Sequence, residues 1–172
     1  MDIREFLRID SSRLNADILV DKIEENPHVL GTVWDIMFED SYPLSMRAGR
    51  VIYLFCQKHP YLIEPRVEEI LEHLPSVKTE SVLRNLLGIL SVLKLPEDHA
   101  GRLFDICFSI VESPRAAIAH KAYALTILYN ISEMEPGLKP ELIALFEGQM
   151  DTESSGIKSR TRNLLKKLYR EV

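Results

Sequence analysis

The chain has 172 residues, of which 46 % are hydrophobic and 27 % charged, and its net charge is −5. This composition excludes wholesale disorder and predicts one globular unit, because a chain of this length buries roughly 70 % of its surface on folding. The acidic balance argues against nucleic acid as the default ligand, since phosphate binding needs clustered Lys and Arg. Residues 1–8 lack the apolar core of a signal peptide, and no run approaches the ~20 apolar residues of a membrane span. We therefore expect a soluble, cytoplasmic protein.

Apolar helical patterns along the chain repeatedly stop at a proline that opens another pattern. These prolines are Pro27, Pro60, Pro96 and Pro136, and they are 33, 36 and 40 residues apart. Proline disfavours helical geometry in the residue before it and is tolerated in the first turn of a helix. A period in this range, with a helix on each side of the turn, is typical of stacked helix-pair repeats.

In chain order, the pattern begins with a short helical turn at Ile3, Phe6 and Leu7. A weaker helix pair follows at 14–25 and 27–40. Three clear pairs come next, each given as first and second helix: 43–59 with 60–74, 77–94 with 96–112, and 114–135 with 136–151. The polar stretch 150–156 is predicted to be a loop, and a last helix runs almost to the C-terminus.

The first helix of the second pair shows the pattern most clearly, with apolar residues at i, i+4, i+7, i+8 and i+11 from Leu44. The helix at 114–135 is apolar over a wide arc, which predicts that neighbours cover it on several sides. No window shows sustained strand alternation. The predicted fold is therefore all-α, a short solenoid of about four helix pairs plus a C-terminal capping helix. It is predicted to form a single domain over 1–172.

The sequence shows no motif for catalysis or for holding a cofactor. Cys56 and Cys107 lie inside apolar helical patterns and are interpreted as small buried hydrophobes of a reducing compartment. The five histidines form neither an HExxH motif nor a His/Cys pair with metal-ligand spacing, and a zinc site needs about four ligands. A glycine-rich phosphate loop and a nucleophile elbow are also missing. We predict a non-enzymatic protein with no catalytic residue, no cofactor and no metal.

Two predicted first helices carry a basic residue before small apolar ones, at 46–51 and 119–124, and these segments resemble the first helices of HEAT repeats. The segments at 59–65 and 135–140 are similar to the turn and second helix of the same family. The first helices recur every 37, 37 and 39 residues when they are aligned on Arg47, Arg84, Lys121 and Arg160. The resemblance spans roughly 10–172 and implies the α-α superhelix of HEAT-like and armadillo-type repeats. It implies a binding scaffold, without a catalytic motif to carry over.

Charge segregates between the two helices of each pair. The predicted first helices, from 43–59 to 155–172, carry net charges of +3, +2, 0 and +5. The second helices, from 27–40 to 136–151, carry −3, −3, −3 and −2. In HEAT-type stacks the second helices usually line the concave face, so the resemblance implies an acidic inner surface.

The candidate residues of that surface are carboxylates of the second helices. Glu64, Glu68 and Glu72 are spaced i, i+4 and i+8, which predicts three carboxylates in one row. The neighbouring second helices extend the surface with Asp35, Glu39, Asp98 and Asp105. Like charges at this spacing repel by a few tenths of a kcal/mol each, so a basic partner would relieve the repulsion. The alternative is a plain solvated face.

The last helix is the basic counterpart of the acidic second helices. Its candidate binding residues are Lys158, Arg160, Arg162, Lys166, Lys167 and Arg170. They predict a contact with phosphate, acidic lipid or an acidic protein. The alternative is a soluble end cap, since terminal repeats need a polar outer face.

The predicted function is a protein-interaction scaffold or adaptor whose acidic layer binds a basic segment of a partner protein. The alternative is a nucleic-acid-binding or DNA-repair protein, because Trp34-Asp35 resembles the tryptophan and aspartate that HEAT-like alkylpurine DNA glycosylases use around an extruded base. Core packing or a surface anchor is the preferred role of Trp34, because a glycosylase needs a basic groove and this layer is acidic. A third prediction is self-assembly, in which a basic layer pairs with an acidic one and the homo-oligomer dissociates as salt rises.

Overall fold

The computed structural model describes residues 1–152 and 154–171, and the regular structure within them is helical. The chain divides into two compact units, unit 1 at Met1–Lys94 and unit 2 from Leu95 onwards. This division falls in the turn of the predicted third helix pair. The single domain expected from the sequence stays a prediction.

Unit 1 begins with two capped helices. The Asp2 side chain accepts hydrogen bonds from the backbone N–H groups of Arg4 and Glu5, and the Ser12 side chain accepts one from Asn15. The short helical turn expected near Ile3 is confirmed. The helices of unit 1 are α1 (Ile3–Ile9), α2 (Arg13–Glu25), α3 (His28–Phe38), α4 (Leu44–Lys58), α5 (Pro60–Ile63), α6 (Val67–His73) and α7 (Glu80–Leu90).

The second helix predicted for 60–74 is interrupted, so the prediction of one continuous helix is wrong. A 3-10 turn, Glu64–Arg66, separates α5 from α6, and Pro65 lies inside it. Proline has no N–H to donate, and its ring clashes with the carbonyl four residues earlier, so an α-helix does not pass through it unbroken. The row of three carboxylates is therefore split: Glu64 lies in the turn, and Glu68 and Glu72 lie on α6.

The central helix of unit 1 is α4, which packs against α1, α2, α3 and α7. Its apolar stripe from Leu44 to Phe55 is buried, as the spacing predicts. The helices α4 and α7 approach closely at Gly49, where an added Cβ would lie 3.2 Å from the side-chain nitrogen of Asn85. Each fully buried Leu, Ile or Phe contributes about 1.5–3 kcal/mol relative to exposure, so this stripe is a main source of the unit's stability.

Unit 2 is built around α9, which packs against α8, α10 and α11. Leu125, Leu128 and Ile131 of α9 are fully buried, which confirms the prediction drawn from its wide apolar arc. A 3-10 turn, Pro136–Leu138, precedes α10. The helices of unit 2 are α8 (Glu97–Glu112), α9 (Ile118–Met134), α10 (Lys139–Thr152) and α11 (Ser155–Glu171).

Two predicted boundaries in unit 2 differ from the structure. The loop expected at 150–156 is wrong at 150–152 and 155–156, because α10 extends to Thr152 and α11 begins at Ser155, while Ser154 is not helical. The Ser154 hydroxyl accepts a hydrogen bond from the backbone N–H of Ile157, so a serine cap starts the new helix within a few residues. The helix predicted from Pro114 begins only at Ile118, after a turn.

The prolines that define the repeat stand where the sequence predicts them. Pro60 is the first residue of α5, and Pro136 is the first residue of the 3-10 turn before α10. Pro27 and Pro96 are the N-cap residues of α3 and α8. Each therefore opens the second helix of its pair.

The basic residue that recurs in the first helices joins neighbouring elements. The Arg47 guanidinium donates to the backbone carbonyl of Leu7 at 2.7 Å, and the Arg160 guanidinium donates to that of Ala122 at 3.2 Å. Each acceptor lies about one repeat earlier in the chain, 40 and 38 residues away. At these two of its four positions, the periodic cation ties a first helix to an element about one repeat earlier in the chain.

Candidate interaction surfaces

The side chains of α3 and α6 form a seam in unit 1. The Arg66 guanidinium carbon lies 4.8 Å from the ring centroid of Trp34. The rings of Phe38 and His73 are 4.2 Å apart, centroid to centroid. The second helices of the first two pairs therefore lie side by side, as the repeat pattern predicts.

Five of the six candidate carboxylates lie on α3 and α6 or directly at their ends, and all five are exposed. We call them the acidic surface: Asp35, Glu39, Glu64, Glu68 and Glu72. Glu68 and Glu72 are four residues apart on α6, so that helix presents both on one side. Asp35 lies on α3, and Glu39 is the C-cap of that helix. The sixth candidate, Asp105, is exposed on α8 in unit 2, as is Asp98.

Trp34 lies in the core of unit 1 and is 0 % exposed. Its ring packs edge-on against Phe38, with centroids 5.7 Å apart, and the Arg66 guanidinium covers one side. No face of the indole is open to stack on a nucleotide base. This confirms core packing as the role of Trp34 and leaves the glycosylase-like reading of Trp34-Asp35 without its aromatic group.

Glu39 is already engaged by a cation of unit 1. The Arg4 guanidinium of α1 donates two hydrogen bonds to this carboxylate, one of them at 2.8 Å and the other shorter. The hydrogen bond lowers the pKa of Glu39 below its ordinary value and raises that of Arg4. Glu39 therefore helps to hold α1 against α3, and it contributes less charge to a partner than its neighbours do.

Three members of the acidic surface have no counter-charge of their own. The side chains of Asp35, Glu64 and Glu72 form no hydrogen bond or ion pair with the described part of the chain. By contrast, Arg66 beside them pairs with Glu69 at 3.5 Å. The part of the acidic surface that is available to a partner is thus centred on these three carboxylates.

A cleft of about 290 Å³ opens in unit 1 where the α2–α3 and α4–α5 turns meet. Its lining includes buried Phe55 and the exposed residues Tyr61 (62 %) and Leu62 (45 %). On its wall, Glu24 accepts a hydrogen bond from Lys58 at 3.2 Å and contacts the His59 ring nitrogen at 2.9 Å. These contacts lower the pKa of Glu24, with His59 the larger cause. The charges on this wall are satisfied within the protein, and what the cleft offers a ligand is apolar area.

The two cysteines are free and buried, as predicted for small core residues. Burial, with a smaller effect of the Glu64 carboxylate, raises the pKa of the Cys56 thiol to about 12. Burial alone raises that of Cys107 to about 12. Both thiols are therefore protonated at neutral pH. Within the described ranges, no three His, Cys, Asp or Glu side chains come together in a way that could hold a metal ion.

The six candidate cations of α11 divide into two groups. One group packs on neighbouring helices: Lys167 lies 5.1 Å from the ring centroid of Tyr129, and Arg160 also donates to the Thr126 hydroxyl at 2.7 Å. Lys158 likewise donates to the backbone carbonyl at position 151, at 3.3 Å. The other group is exposed and makes no such contact in the described part of the chain: Arg162, Lys166 and Arg170.

Comparison with known proteins identifies the family and nothing narrower. The sequence model of a family described as a HEAT repeat domain matches residues 3–168, from α1 into α11. No curated protein and no solved structure matches the chain. Within the described residues, no helix is both long and apolar enough to cross a membrane. The resemblance to HEAT-like repeats and the all-α fold class are thereby confirmed.

Proposed function

This chain belongs to the family of HEAT repeat domains, and we propose that it is a non-enzymatic scaffold whose acidic surface binds a basic segment of a partner protein. HEAT repeats generally serve as protein-interaction scaffolds, and stacked helix pairs present extended faces for that purpose. The observation that carries the proposal is the set of three uncompensated carboxylates, Asp35, Glu64 and Glu72, on one unit.

The cations of unit 1 that form ion pairs find their partners among other carboxylates. They include Arg4, Arg8, Arg13, Lys22, Lys58 and Arg66. The carboxylates that they engage belong to α1, α2, α6 and the C-cap of α3, and none of them is Asp35, Glu64 or Glu72. A Lys or Arg from another molecule would supply the missing counter-charge, at about 0.2–1 kcal/mol for each exposed pair.

Apolar area beside the acidic surface supports a protein partner. Tyr61 and Leu62 are exposed on α5, three and two residues before Glu64, and they border the cleft. Tyrosine is enriched at binding hot spots because it offers large apolar area and a polar tip at low entropic cost. A segment with Lys or Arg near a bulky apolar residue therefore fits this part of unit 1.

Charge reversal tests the proposal directly. The variant Asp35→Lys/Glu64→Lys/Glu72→Lys should bind a fluorescein-labelled 12-residue peptide of alternating Lys and Gly at least about tenfold more weakly than wild type, because three favourable pairs become repulsive. Fluorescence anisotropy at low salt measures the change. The matched control is Asp17→Lys/Asp21→Lys/Glu25→Lys, which makes the same change of net charge on α2.

The control separates a site from a general charge effect. We expect the α2 variant to keep peptide affinity within about threefold of wild type, because those carboxylates already have cationic partners. Equal loss in both variants, or no loss in the acidic-surface variant, would contradict the proposal.

A cytoplasmic location is part of the same proposal. Both cysteines are free and buried, and reducing compartments keep thiols in that state. Fractionation of cells that express the full chain should recover it with soluble cytoplasmic proteins. Recovery from the medium or from washed membranes would contradict this location.

A further inference from the structure

The outer face of α11 carries three cations that no described residue neutralises. Arg162, Lys166 and Arg170 are exposed and are spaced i, i+4 and i+8. At 1.5 Å rise per residue they form a row of about 12 Å along one side of the helix. We call them the cationic row.

Contacts on either side show where this row points. Arg160 and Lys167 lie at the edge of α11 that meets α9. The Tyr169 hydroxyl donates to the Glu147 carboxylate at the edge that meets α10. The apolar stripe of α11, which includes Ile157 and Leu168, is buried. The cationic row therefore faces away from both neighbouring helices.

An end cap does not require this arrangement of charge. A cap needs a polar outer face, and α2 in unit 1 has one on which both cations are paired with carboxylates. There Arg13 pairs with Asp17 at 2.9 Å, and Lys22 pairs with Glu25 at 3.0 Å. Along the cationic row each i, i+4 neighbour is a like charge, which costs a few tenths of a kcal/mol per pair. Solubility alone gives no reason for that cost.

The residues around the cationic row indicate the class of partner. Ser155, Ser159 and Asn163 are exposed on the same side of α11 and supply hydrogen-bond donors. Protein interfaces centre on aromatic or aliphatic anchors, and the exposed Tyr169 (54 %) beside the row is already tied through its hydroxyl to Glu147 of α10. Phosphate contacts in nucleic-acid complexes are made by Arg, Lys, Ser and Asn. The buried apolar stripe has no surface left to enter a bilayer, as a membrane-bound amphipathic helix must.

We propose that the cationic row binds the phosphate backbone of a nucleic acid without reading its sequence. The row lies in unit 2 and uses none of the acidic surface, so this inference stands or falls independently of the function proposed for unit 1. The net charge of −5 makes low ionic strength the condition in which to look for binding, and it makes the salt dependence more diagnostic than the affinity.

Counterion release sets the size of that salt dependence. Neutralising three phosphates of duplex DNA gives a slope of about −2.7 for log K against log salt concentration. Affinity should therefore fall about 40-fold between 50 and 200 mM salt. The slope reports the number of phosphate contacts and does not depend on the base sequence of the DNA.

The test is fluorescence anisotropy of the full chain with fluorescein-labelled 20-base-pair duplex DNA over a salt series. The variant Arg162→Gln/Lys166→Gln/Arg170→Gln should lose measurable binding. The matched control Arg8→Gln/Arg13→Gln/Lys22→Gln removes three cations that are paired in unit 1, and it should keep the wild-type slope. The charge-preserving variant Arg162→Lys/Lys166→Arg/Arg170→Lys should also keep it, and circular dichroism checks that every variant is folded.

Several outcomes would overturn the inference. One is the absence of an anisotropy change when DNA is mixed with wild type at 20 mM salt. Another is an equal loss of DNA affinity in the row variant and in the paired-cation control. Tighter binding to a polyglutamate peptide than to DNA would assign the row to an acidic protein. Row-dependent binding to phosphatidylserine vesicles without DNA binding would assign it to a membrane.

Discussion

The helices α2 and α11 have similar buried apolar faces, but the charges on their exposed faces are arranged differently. Both are amphipathic, and each packs its apolar stripe on the central helix of its unit, α4 or α9. The outer cations of α2 are paired with carboxylates of the same helix, whereas the cationic row of α11 has no such partner in the described residues. Packing thus determines which residues occupy the buried face of each helix, and it does not constrain the charges on the exposed face. Those exposed charges therefore indicate which partners the helix can bind.

The acidic surface of unit 1 also contains both paired and unpaired charges. Glu39 is the C-cap of the helix that carries Asp35, yet the Glu39 side chain is bonded to Arg4 and the Asp35 side chain has no partner among the described residues. Net charge per helix, which is all that a sequence count provides, does not distinguish them. A charged residue becomes a candidate for binding only when the fold leaves it uncompensated.

The largest expected effect concerns the buried apolar face that each of the two helices has. Leu19→Ala on α2 and Leu168→Ala on α11 should each lower the free energy of unfolding by about 2–5 kcal/mol, because both side chains are fully buried and a cavity would remain. Urea unfolding followed by circular dichroism measures the loss. Leu14→Ala is the control on α2, since Leu14 is 69 % exposed, and it should change stability by less than about 0.5 kcal/mol. A loss below about 1 kcal/mol at position 168 would show that α11 is not packed like α2.

A smaller effect with opposite signs should appear on the outer faces. Lys166→Glu places a carboxylate between Arg162 and Arg170 and should stabilise the chain by about 0.5–1 kcal/mol at low salt. Lys22→Glu on α2 breaks the pair with Glu25 and should destabilise it by a few tenths of a kcal/mol. Both changes should shrink in 1 M salt, where the Debye length is about 3 Å. Thermal melts at two salt concentrations provide the measurement, and effects of the same sign would contradict the comparison.

The smallest effect is a dependence on pH that only the paired cations should show. The pKa of Glu39 is lowered from 4.5 by Arg4, so their pairing stabilises the folded state above the ordinary pKa of glutamate. That contribution is lost as the pH falls through the folded-state value. Arg4→Gln should therefore melt at a lower temperature than wild type at pH 7, and the difference should diminish progressively on acidification.

The matched substitution on α11 checks this reading. Arg162→Gln removes a cation that has no carboxylate partner among the described residues, so its melting temperature relative to wild type should not follow the titration of a carboxylate. A two-dimensional NMR titration of the Glu39 side chain gives the pKa itself. A Glu39 pKa at its ordinary value in wild type would contradict the ion pair.

The helices and their buried faces were predictable because the signals are local. The spacing of apolar residues from Leu44 reports one face of α4, and a proline opens each second helix. The interruption at Pro65 was also present in the sequence, since an interior proline predicts a break. Spacing alone predicts the three-carboxylate row, and that spacing takes no account of Pro65 between Glu64 and Glu68.

What was not predictable depends on contacts between distant residues. Arg4 and Glu39 are 35 residues apart, and no pattern in either segment indicates their pairing. The division of the α11 cations is similar, because Lys167 differs from Lys166 only in facing Tyr129 of α9. The boundary between units after Lys94 lies in a turn that looks like the others in the sequence.

Whether the two charged surfaces are separate binding sites is tested by measuring the binding of both ligands to the same set of proteins. The labelled Lys–Gly peptide and the labelled 20-base-pair duplex are titrated separately into wild type, Asp35→Lys/Glu64→Lys/Glu72→Lys and Arg162→Gln/Lys166→Gln/Arg170→Gln. We expect the first variant to lose the peptide and keep the DNA, and the second to lose the DNA and keep the peptide. Loss of both ligands in either variant, or of neither ligand in both, would contradict the claim that the two charged surfaces are separate binding sites.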